Sequence, residues 1–165
     1  MIIKSNQNEE LLQSRDAVLV VWEDSFATEI PMLDDQHREL INLTNQLYRA
    51  CLTGNDAVES AFQQAMTRMV EYVRFHFSAE LKLLHKIKYP QYGDHKVQHD
   101  SLIKQILEAA NEYKSGRRFV PHNFVRTLKD WVFGHIAVYD RAYAAYIRDL
   151  KNRGLLTDQQ INELS

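Results

Sequence analysis

Residues 62–87 read FQQAMTRMVEYVRFHFSAELKLLHKI, and apolar side chains recur there in alternating steps of four and three: Phe62, Met66, Met69, Val73, then Leu83 and Ile87. Such steps keep side chains on one face of an α-helix, and their regular alternation is the seam of a helical bundle. Two members of the beat are not apolar. His76 and Glu80 occupy it where a packed helix would carry leucine. The stretch therefore raises two questions: which helices the seam meets, and what a bundle core does with an imidazole and a carboxylate.

Three more periodic segments flank it. The first opens at MLDDQHREL, with Asp34 or Asp35 placed to cap a helix start, continues through Leu40, Ile41, Leu47 and Tyr48, and ends at Gly54-Asn55. The quoted helix starts near Asp56 and is expected to stop at Pro90, which lacks a donor and clashes with the preceding turn. The third runs from about Tyr92 to Lys114 on the beat Tyr92, His95, His99, Leu102, Ile106, Ala109, Tyr113, and closes at Ser115-Gly116. The fourth runs from about His122 to Lys151 through Phe124, Leu128, Trp131, Val132, His135, Tyr139, Ala142 and Tyr146. Gly154 suits a left-handed cap after it. In the final TDQQINEL, Thr157 and Gln160 form the spacing of a capping box.

No segment alternates as a strand does, and short links between four helices imply antiparallel neighbours. The expected fold is all-α, an up-and-down antiparallel four-helix bundle over residues 21–152. An N-terminal extension, residues 1–20, precedes it and includes most of the weakly helical or extended AVLVVW; a tail, residues 153–165, carries the short C-terminal helix. Apolar Leu155, Leu156, Ile161 and Leu164 in that tail are suited to dock on the bundle or on a protein partner.

Composition bounds the function classes. A chain of 165 residues with 45% hydrophobic content can bury a core without staples. The net charge is −2 and the charges are interspersed, which argues against a nucleic-acid face. The single Cys51 cannot make an internal disulfide. Met1–Glu10 has no apolar run of the signal-peptide kind, and no run elsewhere approaches a membrane span. The expectation is a cytoplasmic protein with neither nucleic-acid nor membrane partners.

The polar residues that interrupt the core beat are His37, His76, Glu80, His95, His99, His135 and Asp140, and every helix contributes. His76 with Glu80, and His95 with His99, lie four apart and so share a face. Asp140 is five residues beyond His135, about 140 degrees off its stripe in an ideal helix. It must reach in from the flank, or the helix must widen locally. His85 and His122 fall outside the set and read as surface or cap positions. Unpaired buried carboxylates and imidazoles cost several kcal/mol each, so a cation between the seven is the simplest resolution. Structural zinc usually takes thiolates, and only one cysteine is present. Seven mixed nitrogen and oxygen donors suit two ions, with iron or manganese favoured. The Glu-x-x-His repeat of carboxylate-rich di-iron bundles is absent.

His37 in DDQH, His76 to Glu80 in HFSAE, His95 to His99 in HKVQH and His135 to Asp140 in HIAVYD together resemble the hemerythrin signature. So do VWEDSF at 21–26 and DWVFGHI at 130–136, and the single-chain form is similar to bacterial hemerythrins. The resemblance implies a non-haem di-iron centre that binds dioxygen reversibly. It places one iron on His95, His99 and His135, the other on His37 and His76, with Glu80 and Asp140 bridging. Two six-coordinate irons offer about twelve positions. Five imidazoles, two bridging carboxylates and an oxo or hydroxo bridge fill all but one, which falls to dioxygen on the iron with two histidines. Leu40, Phe77, Trp131, Val132 and Ile136 are the expected lining of the oxygen pocket, where plain core packing is a compatible role. Val132 stands where the family usually carries leucine, and Leu81 replaces the second acid of a usual Glu-Glu pair.

Storage, delivery or sensing of dioxygen is the leading reading. The alternatives are a di-iron enzyme acting on peroxide or nitric oxide, for which Tyr139 is the nearest proton relay, or a regulatory module acting through a partner at the chain ends.

Overall fold

A computed structural model describes residues 17–52, 56–115 and 121–164. Helix α1 spans Pro31–Leu52, α2 Asp56–Lys86 and α3 Tyr92–Lys114. The fourth rod is composite: α4, Pro121–Gly134, passes through a π-helical turn, His135–Asp140, into α5, Arg141–Asn152. A short α6, Asp158–Leu164, closes the chain. Helix α1 packs on α2 and α4, and α2 on α3, giving an all-α helical bundle; no strand occurs among the described residues.

The seam works as its spacing implies. Phe62, Met66, Met69, Val73, His76, Glu80 and Leu83 are all buried along α2, as are His95, His99, Leu102, Ile106 and Ala109 along α3. The apolar residues divide into two clusters. One holds Leu40, Val73, Phe77, Leu102, Val132 and Ile136; the other holds Leu33, Leu83, Leu84, Tyr143, Ile147, Leu156 and Ile161. Along α2, His76 and Glu80 fall between Val73 of the first cluster and Leu83 of the second, so a polar layer separates two hydrocarbon ones.

Three local readings are corrected. Helix α1 starts at Pro31, whose fixed φ and missing N–H suit a first helical turn. Asp34 therefore lies inside that turn, and its Oδ1 accepts from both Thr28 N and Thr28 Oγ1 at 2.7 Å, tying the preceding loop to the helix instead of capping its start. Helix α2 ends at Lys86, before Pro90 acts. Lys88 takes φ 56°, and the Tyr89 N–H to Leu84 O and Lys88 N–H to His85 O bonds make the paired closure of a Schellman motif. On the last rod, Tyr139 and Ala142 are exposed, while Asp140, Tyr143, Ala144 and Ile147 are buried. A π turn holds one residue more than an α turn, so the core beat beyond it slips by one position.

The other caps agree with the sequence. Gly154, at φ 68°, closes α5 with its N–H on Lys151 O and Leu155 N–H on Leu150 O. Thr157 and Gln160 exchange the two bonds of a capping box: Gln160 N–H donates to Thr157 Oγ1 and Thr157 N–H to Gln160 Oε1. Leu156 and Ile161 dock on the bundle, whereas Leu155 is exposed. The Gly54-Asn55 and Gly116 stops, residues 1–16 and the Leu164 side chain lie outside what is described.

The AVLVVW stretch forms neither helix nor strand. It is held by Asn45, whose Oδ1 accepts from Leu19 N (2.9 Å) and Val20 N (3.0 Å) while its Nδ2 donates to Val20 O at 2.8 Å. Asn45→Ala is expected to lower unfolding free energy by about 1–3 kcal/mol, since it leaves buried backbone donors unpaired. Chemical denaturation measures that loss, and limited proteolysis should cut near Val20 faster than in the parent.

Candidate metal centre

All seven side chains singled out from the sequence converge in the polar layer. His37, Glu80, His99 and Asp140 have no exposed surface, and His76, His95 and His135 have 2% or less. Each element supplies its part by register. His37 comes from the second turn of α1, and the four-residue spacings on α2 and α3 stack His76 over Glu80 and His95 over His99. The widened turn settles Asp140: with i→i+5 closure, five residues complete about one turn, so the carboxylate shares the His135 side of the rod. Local widening, not a reach from the flank, brings it in.

The geometry is one of inward-facing nitrogen atoms around two carboxylates. Glu80 Oε2 lies 2.9 Å from His99 Nε2 and 3.1 Å from His95 Nε2. Asp140 Oδ1 lies 3.0 Å from His135 Nε2 and 3.7 Å from His95 Nε2, while its Oδ2 lies 3.2 Å from His37 Nε2. Asp140 thus stands between His37 on one side and the His95–His135 pair on the other. Ligating atoms of Glu80, His95, His99 and His135 fall within 4.8 Å of one another, as do those of His37, His76 and Glu80. Glu80 belongs to both groups.

Hydrogen bonding alone does not satisfy this cluster. His99 Nε2 and His135 Nε2 face each other at 2.9 Å, and only one of two such nitrogens can carry a proton there. His37 Nε2, Glu80 Oε1 and both Asp140 oxygens are buried without an aligned hydrogen bond. Leaving such groups unpaired costs about 1–3 kcal/mol each, more for charged ones. Divalent metal accepts lone pairs from several such atoms at once, so the donor set fits metal binding.

The electrostatics point the same way. Burial pushes the His76 imidazole down to about 3, against the pull of Glu80, so it is neutral and ready to ligate. Burial likewise holds His99 below its usual value. For His37 and His95 burial also acts downward, but the Asp140 and Glu80 carboxylates outweigh it and raise both. The carboxyls of Glu80 and Asp140 are lowered despite burial, because the surrounding imidazoles favour their anions.

Two residues were not singled out from the sequence. Gln36 Oε1 lies 2.9 Å from His76 Nδ1, which as a donor leaves Nε2 free to face inward; Gln36 Nε2 in turn contacts Met32 Sδ at 2.8 Å. A buried glutamine beside His37 on a core-facing turn was the available signal. The other is Tyr143, fully buried three residues after Asp140, hidden from the sequence beat by the register slip.

The expected pocket residues also come together. Leu40, Phe77, Val132 and Ile136 are buried in one apolar cluster, with Trp131 packed against it. Phe77 stacks on His99 with ring centroids 3.5 Å apart, and Trp131 stacks on His135 at 4.3 Å. Tyr139 also stacks on His135, at 5.5 Å, but is 39% exposed.

Residues 28–147 match the family described as hemerythrin HHE cation binding domain. The chain belongs to the hemerythrin family. A bacteriohemerythrin of Methylococcus capsulatus is 28% identical over 126 residues, covering 76% of this chain and 94% of that one. One from Clostridium acetobutylicum is 31% identical over 132 residues, covering 76% and 98%. The fold of a wild-type hemerythrin superposes with a TM-score of 0.72 at 27% identity, over 78% of this chain and 97% of that one. A variant of it with one leucine replaced by alanine superposes at 0.73. Hemerythrin membership makes this chain a dioxygen-binding protein of the non-haem iron class. No described helix is long and apolar enough to cross a membrane.

Ligation requires neutral imidazoles. Because nearby carboxylates make His37 and His95 hold protons more tightly than a free imidazole, a metal held by them would compete with protons as the pH falls. Anaerobic calorimetry in buffers of different ionisation enthalpy should therefore show proton release, and affinity should fall as pH drops. Uptake without proton release would contradict the raised values.

Proposed function

We propose that this chain binds dioxygen reversibly at a centre of two iron ions, for storage, delivery or sensing. His95, His99 and His135 would hold one iron and His37 and His76 the other, with Glu80 and Asp140 as the carboxylates available to both. The observation that carries the reading is the position of the two carboxylates. Glu80 is shared by both groups of converging donors, and Asp140 faces His37 with one oxygen and His135 with the other.

When bound, ferrous iron supplies the electrons that dioxygen draws on reversible binding. The protein's share is to hold donors and exclude water. Gln36 fixes the tautomer of His76, so that imidazole presents one nitrogen only. Phe77 and Trp131 lie flat on His99 and His135, locking the rings against rotation. With Leu40, Val132 and Ile136 they form a dry wall on the first-cluster side. Protons reach a ligand slowly through hydrocarbon, which favours reversible binding over turnover. Tyr139, with its partly exposed ring, is better placed for packing than for a relay into a closed site.

The chain runs on beyond the matched residues 28–147 at both ends. Residues 17–30 and the α6 tail pack along the bundle, and we read them as extensions of the bundle rather than separate domains.

Anaerobic reconstitution followed by iron analysis should give two irons per chain, with a visible absorption band that appears on admitting oxygen and fades on its removal. His76→Ala and His99→Ala should each lower the iron content, while His85→Ala should retain it. Equal iron in all three would refute the ligand assignment.

Val132→Leu adds a methylene to the buried wall and should slow oxidation of the reduced protein in air by a few-fold, followed from the decay of the oxygenated spectrum. An unchanged decay would remove Val132 from the wall.

A further inference from the structure

Tyr143 is the one large polar side chain of the second apolar cluster whose hydroxyl is buried with no hydrogen-bond partner. Its ring has no exposed surface and sits edge-on to His95, with centroids 5.5 Å apart, and edge-on to Tyr89 at 6.3 Å. It therefore touches the polar layer from the face opposite Phe77 and Trp131. On that layer Glu80 Oε1 is likewise unpaired, as are both Asp140 oxygens, and of the two carboxylates it is Glu80 that comes within hydrogen-bonding reach of the Tyr143 hydroxyl; its companion Oε2 is engaged by His95 and His99. A buried donor and a buried acceptor, both unmatched, meet at the same boundary.

We infer that Tyr143 is a positioning residue for the metal centre: its O–H donates to the Glu80 carboxylate and fixes the carboxylate's spanning orientation from outside the ligand set. This rests on the metal reading of the site. A carboxylate oxygen has two lone pairs, one for a metal and one for this bond. The bond draws electron density from the bridge. It should make the centre a weaker donor to ferric than to ferrous iron, biasing the pair toward the reduced, oxygen-binding state.

The test compares Tyr143→Phe with the parent and with Tyr89→Phe, a control whose hydroxyl donates to Gln91 Oε1 at 2.8 Å, away from the metal layer. In Tyr143→Phe the metal-free protein should stay folded with the helical content of the parent, since the change removes one hydroxyl and leaves the ring in its apolar cluster. Its ferrous iron affinity should nonetheless weaken about tenfold, the scale typical of lost outer-shell support. Its reduction potential should fall, and its oxygenated form should oxidise faster. Tyr89→Phe should match the parent in affinity and potential. Equal affinity and potential in Tyr143→Phe and the parent would overturn the inference. So would a drop in metal-free melting temperature large enough to account for the affinity loss. A parent that binds no iron would instead defeat the metal reading itself, which keeps the two failures apart.

Discussion

Five imidazoles and two carboxylates buried in the middle of a hydrocarbon bundle are the constraint on which the molecule turns. A four-helix core closes without any of them, and leucine at those positions would give a more stable apolar seam. Their cost is desolvation, and their mutual contacts do not repay it. His99 and His135 aim nitrogen atoms at each other, and several oxygens find no aligned donor. Bound metal removes the conflict because a cation accepts several lone pairs from converging directions. The apolar clusters on either side then serve two ends, holding the rods in register and keeping water from the layer between them.

The π turn at His135–Asp140 is the device that lets one rod contribute two donors five residues apart. An α-helix supplies pairs at three or four, as α2 and α3 do with His76–Glu80 and His95–His99. Widening one turn brings Asp140 round to the His135 side, and the residues beyond it rotate with it. Tyr143 and Ile147 come into the core in consequence, while Tyr139 and Ala142 move outward. The irregularity at the site thus sets which face of α5 turns into the core.

Support for the donors comes from both sides of the layer. Gln36 holds His76, flat aromatic contacts hold His99 and His135, and Tyr143 borders the layer from the second cluster. The two faces differ in chemistry. The Phe77–Trp131 side is hydrocarbon and indole packed against imidazole, suited to a small apolar gas. The Tyr143 side carries a buried hydroxyl beside the carboxylates. That asymmetry has no counterpart in the ligand set alone.

Much of this was legible in the chain itself. Period determined the helices, because burial of one stripe per rod is a local demand written residue by residue, whereas the start at Pro31 and the closure at Lys88 were set by loop contacts and backbone geometry. The interruption of that stripe by seven polar side chains disclosed the site for the same reason: no partner near in sequence could neutralise them. Three things depended on tertiary structure. Whether Asp140 enters by reach or by a widened turn is decided by what the neighbouring rods leave open, and a spacing of five is compatible with both. The pairing of Gln36 with His76 joins residues forty apart, beyond any helical period. The burial of Tyr143 follows from the register slip, which sequence periodicity, counted on an unbroken α-helix, places on the wrong face.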